Sequence, residues 1–230
     1  DAAGNTSACS DTYSVTYDNT DPSAPVLVSP ANNSVINGTS ITQSWSDASS
    51  DIDHYIYESY NNAAGTSLRW RETFSGATTS KTATHVGETT YWWQVKAVDQ
   101  AGNESAWSPL WKITVDNTAP DVDITNPGTG STLSYAHDGT VDIRGSVTDS
   151  NPDHYYLHIS GPNGYTAGPG TVHDSSPFTN KSLYSWNLSG LQSGTYTIDL
   201  EARDAAGGTL SSGNKDAGSV KTINVTVDNT

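Results

Sequence analysis

The sequence predicts an all-β fold in which β-sandwich domains follow one another in an extended array, and three observations support this prediction. Residues that favour strands and turns dominate the composition, with 12 Tyr, 7 Trp and 20 Gly against 2 Phe and no Met. Short segments alternate apolar and polar side chains, which is the period of a strand. Several motifs also recur after roughly 100 residues, which is the length of one sandwich domain.

The clearest repeat is a turn, a strand and the tripeptide Asp-Asn-Thr. The turn motif, Asp-x-Ala-Gly, occurs at residues 1–4, 99–102 and 204–207. The predicted strands that follow it are 13–17, 111–115 and 223–227. The tripeptides lie at 18–20, 116–118 and 228–230. The third copy contains a Gly- and Ser-rich insertion at 210–218, which predicts a longer hairpin loop.

These repeats divide the chain into three parts. Residues 1–20 are predicted to be the C-terminal hairpin of a preceding, truncated repeat. Residues 21–118 and 119–230 are predicted to be two complete sandwiches. The short segments that join the parts contain Pro25 and Pro120, and proline restricts φ, so we expect stiff linkers.

Alternation along the predicted strands separates inward from outward side chains. In the first complete domain the predicted inward residues are Ile41, Trp45, Tyr55, Tyr57, Tyr91, Trp93, Val95, Ala97, Trp111, Ile113 and Val115. In the second they are Ile143, Val147, Tyr155, Leu157, Ile159, Trp186, Tyr196, Ile198, Leu200, Ala202, Ile223, Val225 and Val227. Burying each such side chain contributes about 1.5–3 kcal/mol, so two facing columns can sustain a sandwich.

Two segments resemble known families. Residues 91–103 (Tyr-Trp-Trp-Gln-Val-Lys-Ala-Val-Asp-Gln-Ala-Gly-Asn) resemble the sixth strand and the following turn of a fibronectin type III domain. Residues 119–230 resemble the immunoglobulin-like repeats of large bacterial surface proteins and adhesins, through segments 116–120 and 193–207. The resemblance implies an extracellular or cell-surface location. It also implies that Tyr91 and Tyr196 occupy the tyrosine-corner position, where the hydroxyl ties a loop.

The charge and the motifs exclude several classes of function. The chain has 25 acidic residues against 10 Lys and Arg, a net charge of −15, which argues against binding nucleic acid or an anionic membrane. No segment is apolar and long enough to cross a bilayer. Cys9 is the only cysteine, so these residues form no disulfide among themselves.

No catalytic motif is present, and we expect a protein that is not an enzyme. The sequence lacks a nucleophile elbow, a phosphate-binding loop and zinc-ligand spacing. His54 and His154 each precede a predicted inward tyrosine, so alternation directs both to the surface.

Aspartate is concentrated where the resemblance places the domain junctions. The second-to-third and sixth-to-seventh loops would lie at the end of the sandwich where the linker arrives, so several carboxylates would converge and repel one another. Calcium, which takes about 6–8 oxygen ligands, would neutralise them and stiffen the joint. The alternative is that these residues only form Asx turns. The candidate ligands are Asp18, Asp21, Asp47, Asp51, Asp53 and Asp99 at the first junction, and Asp116, Asp121, Asp123, Asp149, Asp153 and Asp204 at the second.

Three tryptophans, Trp70, Trp92 and Trp107, are predicted to be exposed. An exposed indole can stack on the apolar face of a sugar ring, so these residues are candidate ligands for carbohydrate. The alternative is that a neighbouring Arg or Lys covers each ring as a cation–π pair.

The sequence therefore leaves three functional hypotheses. The first is a non-catalytic stalk or spacer in an extracellular surface or adhesin-type protein, whose partners are neighbouring repeats of the same polypeptide and, through flanking domains, surface glycans or proteins. The second is a carbohydrate-binding or spacer module of a secreted polysaccharide-degrading enzyme. The third, ranked lowest, is a filament subunit to which residues 1–20 donate a strand.

Overall fold

Two β-sandwiches follow one another in the computed structural model, which describes residues 2–46, 49–84, 86–206 and 219–230. The predicted loop insertion at 210–218 and the candidate ligand Asp47 lie outside the described residues. Strands of the first sandwich fall between residues 27 and 115, and those of the second between 121 and 227. Among the described residues, no helix has the length and apolar character needed to span a bilayer.

The first sandwich pairs a three-stranded sheet with a five-stranded sheet. The smaller sheet contains, in spatial order, β1 (Leu27–Ser29), β3 (Ser40–Trp45) and β6 (Ser80–Thr84). The larger sheet contains, in spatial order, β2 (Ser34–Ile36), β8 (Trp111–Val115), β7 (Thr89–Asp99), β4 (Ile52–Tyr60) and β5 (Leu68–Ser75).

The second sandwich has the same strand order. Its smaller sheet contains β9 (Asp121–Asn126), β11 (Thr140–Thr148) and β14 (Phe178–Asn187). Its larger sheet contains β10 (Thr132–Leu133), β16 (Val220–Val227), β15 (Gly194–Asp204), β12 (Pro152–Gly161) and β13 (Tyr165–His173). A short helix, α1 (Tyr135–Asp138), precedes β11, and a 3₁₀ turn, Pro162–Gly164, connects β12 to β13.

The first strand of each domain is divided between the two sheets. In the first domain β1 pairs antiparallel with β3, and the chain then crosses to the other sheet, where β2 pairs parallel with β8. In the second domain β9 pairs antiparallel with β11, and β10 then pairs parallel with β16. A cis peptide bond, Ser29–Pro30 in one domain and Asn126–Pro127 in the other, follows the first half of the strand. The repeated sequence segments thus lie on equivalent strands of the two domains.

The predicted inward columns form the two cores. All of the predicted residues are buried except Trp111, which is partly exposed and packs against the first core. Trp93 and Trp186 are completely buried in the first and second domains, respectively. Trp186 donates from Nε1 to the Tyr165 hydroxyl at 3.0 Å and packs against Tyr196, with ring centroids 5.4 Å apart. The all-β sandwich prediction is therefore confirmed.

Residues 2–20, which are predicted to be the end of a preceding repeat, lie before the first sandwich. Residues 2–20 contain no strand, although Gly4 forms the expected turn with a positive φ of 81°, close to the 92° of the equivalent Gly102. Tyr13 and Val15 are 88% and 91% exposed. A lone strand gains little from its own backbone, and no described residue pairs with this one, so the sequence pattern alone does not order it.

The tyrosine corner is present in only one domain. The Tyr196 hydroxyl donates to the backbone oxygen of Gln192 at 3.1 Å, as the resemblance implied. The Tyr91 hydroxyl is buried and has no hydrogen-bond partner among the described residues, so the expectation for Tyr91 is wrong. The described residues of the loop before β7 bring no carbonyl to that hydroxyl, whereas the loop before β15 does.

We expect Tyr196→Phe and Tyr91→Phe to have different effects on stability. Tyr196→Phe removes a satisfied hydrogen bond, so the free energy of unfolding of the second domain should fall by about 1 kcal/mol. Tyr91→Phe removes a buried polar group without a partner, so the first domain should keep or slightly increase its stability. Calorimetric unfolding of both variants tests this; equal losses in the two domains would contradict it.

Candidate functional site: carboxylate clusters at the domain junctions

The Asp-Asn-Thr motif begins with an Asx turn in all three copies. The backbone N–H of the threonine donates to Oδ1 of the aspartate two residues earlier, at 3.0 Å in Asp18, 3.1 Å in Asp116 and 3.2 Å in Asp228. These aspartates therefore form Asx turns, as the alternative interpretation expected. The turn uses Oδ1, and carboxylate oxygens can accept further bonds or bind a cation.

The asparagine of the motif anchors the end of each domain to that same domain. Asn117 Oδ1 accepts from the backbone N–H of Gly38 at 2.6 Å, and Asn229 Oδ1 accepts from that of Tyr135 at 2.7 Å. Asn229 Nδ2 also donates to the backbone oxygen of Leu188 at 3.0 Å. The adjacent aspartate is therefore held in a fixed place relative to the domain that precedes it.

At the first junction the structure brings together Asp18, Asp51 and Asp99. One carboxylate oxygen from each lies within 4.8 Å of the others. Asp18 belongs to the segment before the first sandwich, Asp51 immediately precedes β4, and Asp99 ends β7. Asn103 Nδ2 also donates to the backbone oxygen of Asp18 at 3.3 Å, which ties this segment to the β7–β8 loop.

The Asp99 side chain is buried, but protein groups donate several hydrogen bonds to its carboxylate. Its carboxylate accepts from the backbone N–H groups of Ala101 and Asn103 and from Asn103 Nδ2, each at 2.8 Å. Burial works to raise the pKa of Asp99, but these hydrogen bonds outweigh it and hold the pKa below its usual value. Asp99 therefore stays ionised at neutral pH.

At the second junction the corresponding cluster is Asp116, Asp149 and Asp204. One carboxylate oxygen from each again lies within 4.8 Å of the others, and Asp116 and Asp204 are buried. Asn151 Nδ2 donates to Asp116 Oδ2 at 2.6 Å, a direct contact between the second sandwich and the end of the first. A cavity of about 610 Å³ adjoins the cluster, and Asp121 is among its lining residues.

Asp149 is the member of this cluster whose pKa is raised. Burial raises its pKa to about 6; a hydrogen bond from the backbone N–H of Asn151 partly opposes the rise, and the charges of Asp116, Asp204 and Glu88 add to it. Ionised Asp149 is therefore costly at neutral pH unless a positive charge accompanies it.

Two members of each cluster correspond, Asp18 to Asp116 and Asp99 to Asp204, whereas the third carboxylate comes from different positions, Asp51 and Asp149. The backbone N–H of Gln100 donates to the Asp51 oxygen at 3.1 Å, and that of Ala205 donates to the Asn151 oxygen at 2.9 Å. Asn151 thus occupies the place of Asp51, and its amide nitrogen donates to Asp116. Asn151 is not among the predicted site residues, because only carboxylates were considered, although the match of segment 51–55 with segment 151–155 identifies its position.

The remaining predicted ligands lie outside these clusters. Asp21 is exposed, and Asp53 contacts His54 at 2.7 Å. Asp123 forms an ion pair with Lys221 at 2.9 Å. Asp153 contacts His154 at 2.9 Å. Each of these side chains lies on a strand beyond the loop that reaches the junction, except Asp21, which lies in the linker.

The three candidate tryptophans do not share one surface. Trp70 and Trp93 both pair with Ser59, so Trp70 lies on the inner side of the sheet at its edge, whereas Trp92 lies on the outer side. Trp107 is half-buried, and Lys96 Nζ lies 5.1 Å from its ring centroid. That contact is the predicted cation–π alternative. Trp70 is 56% exposed.

Trp70 lines a groove between the edges of the two sheets of the first domain. The groove has a volume of about 500 Å³. Gln43 and Tyr91 also line it, and Gln43 Nε2 and the Tyr91 hydroxyl are buried without a hydrogen-bond partner among the described residues. Lys81 crosses the groove, with Nζ 5.4 Å from the Trp70 ring centroid.

We expect Asp149 to give the second domain a distinctive pH dependence in the absence of divalent cations. Its pKa is higher in the folded chain than in the unfolded chain, so the folded state binds more protons and the free energy of unfolding should rise as pH falls from 7 towards 5. Asp149→Asn should abolish this contribution and raise stability at pH 7. Unfolding in EDTA across this pH range measures the difference, and parallel curves for the two proteins would contradict the assignment.

No family model matches the sequence, and no curated protein matches it. Among solved structures, the chain is similar to the fibronectin(III)-like modules of Clostridium thermocellum CbhA, with 18% identity, 89% of this chain and 93% of that chain covered, and a TM-score of 0.44. A marsupial T cell receptor matches at 13% identity over 90% of this chain and 74% of that chain, with a TM-score of 0.56. A tetra-tandem repeat from the extending region of a large adhesion protein matches at 17% identity over 90% and 50%, with a TM-score of 0.42.

At these identities the likeness concerns the fold. The T cell receptor match, whose TM-score exceeds 0.5, agrees with a fold of paired β-sheets. The chain therefore consists of two tandem β-sandwiches, a fold that it shares with that structure.

Proposed function

We propose that this chain is a non-catalytic stalk or spacer in an extracellular surface or adhesin-type protein, and that calcium stiffens its domain junctions. The observation that carries the proposal is the pair of equivalent carboxylate clusters, one where the linker meets each sandwich. The clusters lie at the joints between domains, and a module of this kind is suited to fixing the orientation of neighbouring domains. Its immediate partners are neighbouring repeats of the same polypeptide.

The composition of the clusters favours calcium. Each provides three carboxylates, with one oxygen of each within 4.8 Å of the others. An all-oxygen set suits a hard cation, and calcium tolerates the irregular geometry and high ligand number of a site built from loops. Magnesium requires a near-ideal octahedron, so it suits this arrangement less well.

A bound cation would act as a crosslink because its ligands come from both sides of the joint. Asp116 belongs to the end of the first sandwich, and Asn117 anchors that end through Gly38. Asp149 follows β11 and Asp204 ends β15, both in the second sandwich. Coordination by all three aspartates would fix the second domain relative to the first, while neutralising the charge that burial makes costly.

Calcium should raise the melting temperature of the chain, and Asp116→Asn should remove the part of this gain that arises at the second junction. A ligand at about 100 times its Kd stabilises the folded state by about 2.7 kcal/mol per site. Calorimetry in CaCl₂ and in EDTA measures the effect. Asp11→Asn is the matched control, because Asp11 is exposed in the segment before the first sandwich and its substitution changes the net charge equally.

If the wild-type chain melts identically with calcium and with EDTA, the calcium part of the proposal is wrong. The same conclusion follows if Asp11→Asn and Asp116→Asn lose equal amounts of calcium-dependent stabilisation.

A second candidate function is carbohydrate binding in the groove beside Trp70. An exposed indole lines the groove together with the exposed side chains of Arg69 and Thr84, which combines an apolar platform with polar groups that can bind sugar hydroxyls. This function is compatible with a module that accompanies a secreted polysaccharide-degrading enzyme.

Glycan-array binding tests this second candidate. Trp70→Ala and Arg69→Ala should each abolish any wild-type signal, since one removes the stacking surface and the other a hydrogen-bond donor. Trp107→Ala is the control, because Trp107 does not line the groove. No binding by the wild-type chain, or equal binding by all variants, would contradict the candidate.

Strand donation by residues 1–20 has the weakest support. Each sandwich contains a last strand of its own, β8 in the first and β16 in the second. Neither larger sheet therefore needs a strand from another chain at that position.

A further inference from the structure

A group of side chains on the second sandwich combines nitrogen and oxygen donors, unlike the junction clusters. Asp153, His154 and His173 each offer one donor atom, and these atoms lie within 4.8 Å of one another. Two imidazoles and a carboxylate suit zinc and other late first-row divalent ions better than calcium. We propose that these three residues bind such an ion, for which Zn²⁺ is the representative.

The pairing of β12 with β13 brings the two imidazoles together. His154 and His173 are direct partners across the two strands, so their side chains project from the same face of the sheet. Their ring centroids are 5.7 Å apart. Because His154 precedes the buried Tyr155, that face is the outer one. The histidines come from paired strands, so the backbone ladder holds them in place.

The carboxylate of Asp153 completes the group. Asp153 Oδ2 lies 2.9 Å from His154 Nδ1, and the His154 side chain is only 10% exposed. This contact fixes the orientation of the His154 ring. Zinc bonds to nitrogen and oxygen are about 2.0–2.2 Å long, so the donors must move closer together. His173 is exposed, and rotation of its side chain can close the ligand set.

The charges around the group do not oppose a cation. Arg203 is the other strand partner of His154, and its Nε donates to Glu201 Oε1 at 3.0 Å. Lys181 forms an ion pair with Asp174, the residue that follows His173. Each of these two basic side chains therefore has an acidic neighbour, and Asp153 contributes a further negative charge.

The first domain supplies an internal comparison. His54 Nδ1 lies 2.7 Å from Asp53 Oδ2, which reproduces the Asp153–His154 contact. The residue across from His54 on the neighbouring strand is Ser75, where the second domain has His173. A serine hydroxyl does not replace an imidazole as a zinc ligand, so the first domain lacks the third donor. The Asp-His pair is common to both domains, and the third donor is specific to the second.

A bound ion would have a local structural effect. β13 is an edge strand of the larger sheet in the second domain, and only β12 pairs with it. A metal held by residues of both strands would crosslink this edge near the end of β13. The site is separate from the junction clusters, so a test of zinc binding here does not depend on whether those clusters bind calcium.

The experiment is a titration of the full chain with ZnCl₂ in excess CaCl₂, which competes at the oxygen-only clusters. Imidazole ¹⁵N NMR signals and calorimetry follow binding. We expect one zinc ion per chain, with His154 and His173 shifting together and His54 unchanged. His173→Ser, which copies the first domain, should weaken binding at least tenfold. His158→Ala is the control, since His158 lies on the same strand but outside the group.

Three results would each overturn the proposal. The first is the absence of zinc binding by the wild-type chain. The second is equal zinc affinity in His173→Ser and wild type. The third is a shift of the His54 signals with the same midpoint as those of His154, which would show that the Asp-His pair alone accounts for binding.

Discussion

The architecture depends on one constraint: two β-sheets must face each other with their apolar columns inward. Trp93 and Trp186 are completely buried because strands from both sheets surround them. Alternation then leaves every second residue outside, and the antiparallel connections send successive loops to opposite ends of the sandwich. Positions far apart in sequence, such as Asp149 and Asp204, consequently meet at one end. The packing of the two sheets thus determines where the clustered carboxylates lie.

The Asp-Asn-Thr motif links this packing to the joint between domains. Its asparagine binds the backbone of its own domain, as Asn117 does at Gly38, while its aspartate lies beside the following domain, as Asp116 does near Asn151. A three-residue motif therefore combines an anchor with a contact across the joint. This division of roles gives a physical reason for the motif to recur at the end of each repeat, and it makes the position of the cluster dependent on the fold of the preceding sandwich.

The sequence predicted the fold well because the alternation is strong and the repeat aligns equivalent strands. It also predicted which loops would bring carboxylates together, although it did not separate Asp204, which joins a cluster, from Asp123, which pairs with Lys221. That distinction depends on strand register and on cross-sheet distances. For the same reason His173 was not predicted as a site residue, because only the pairing of β12 with β13 places it opposite His154. That residues 1–20 end a preceding repeat stays a prediction, because the described chain contains no neighbouring strand with which residues 13–17 could pair.

The central claim is that a cation at the carboxylate clusters holds the two sandwiches in one orientation. Residual dipolar couplings measured on the full chain test this most directly, because they report how each domain is aligned in solution. With calcium present, the account predicts that both domains share a single alignment tensor; in EDTA it predicts two tensors of different magnitude. Two independent tensors in both conditions would contradict the claim, as would one shared tensor that calcium leaves unchanged.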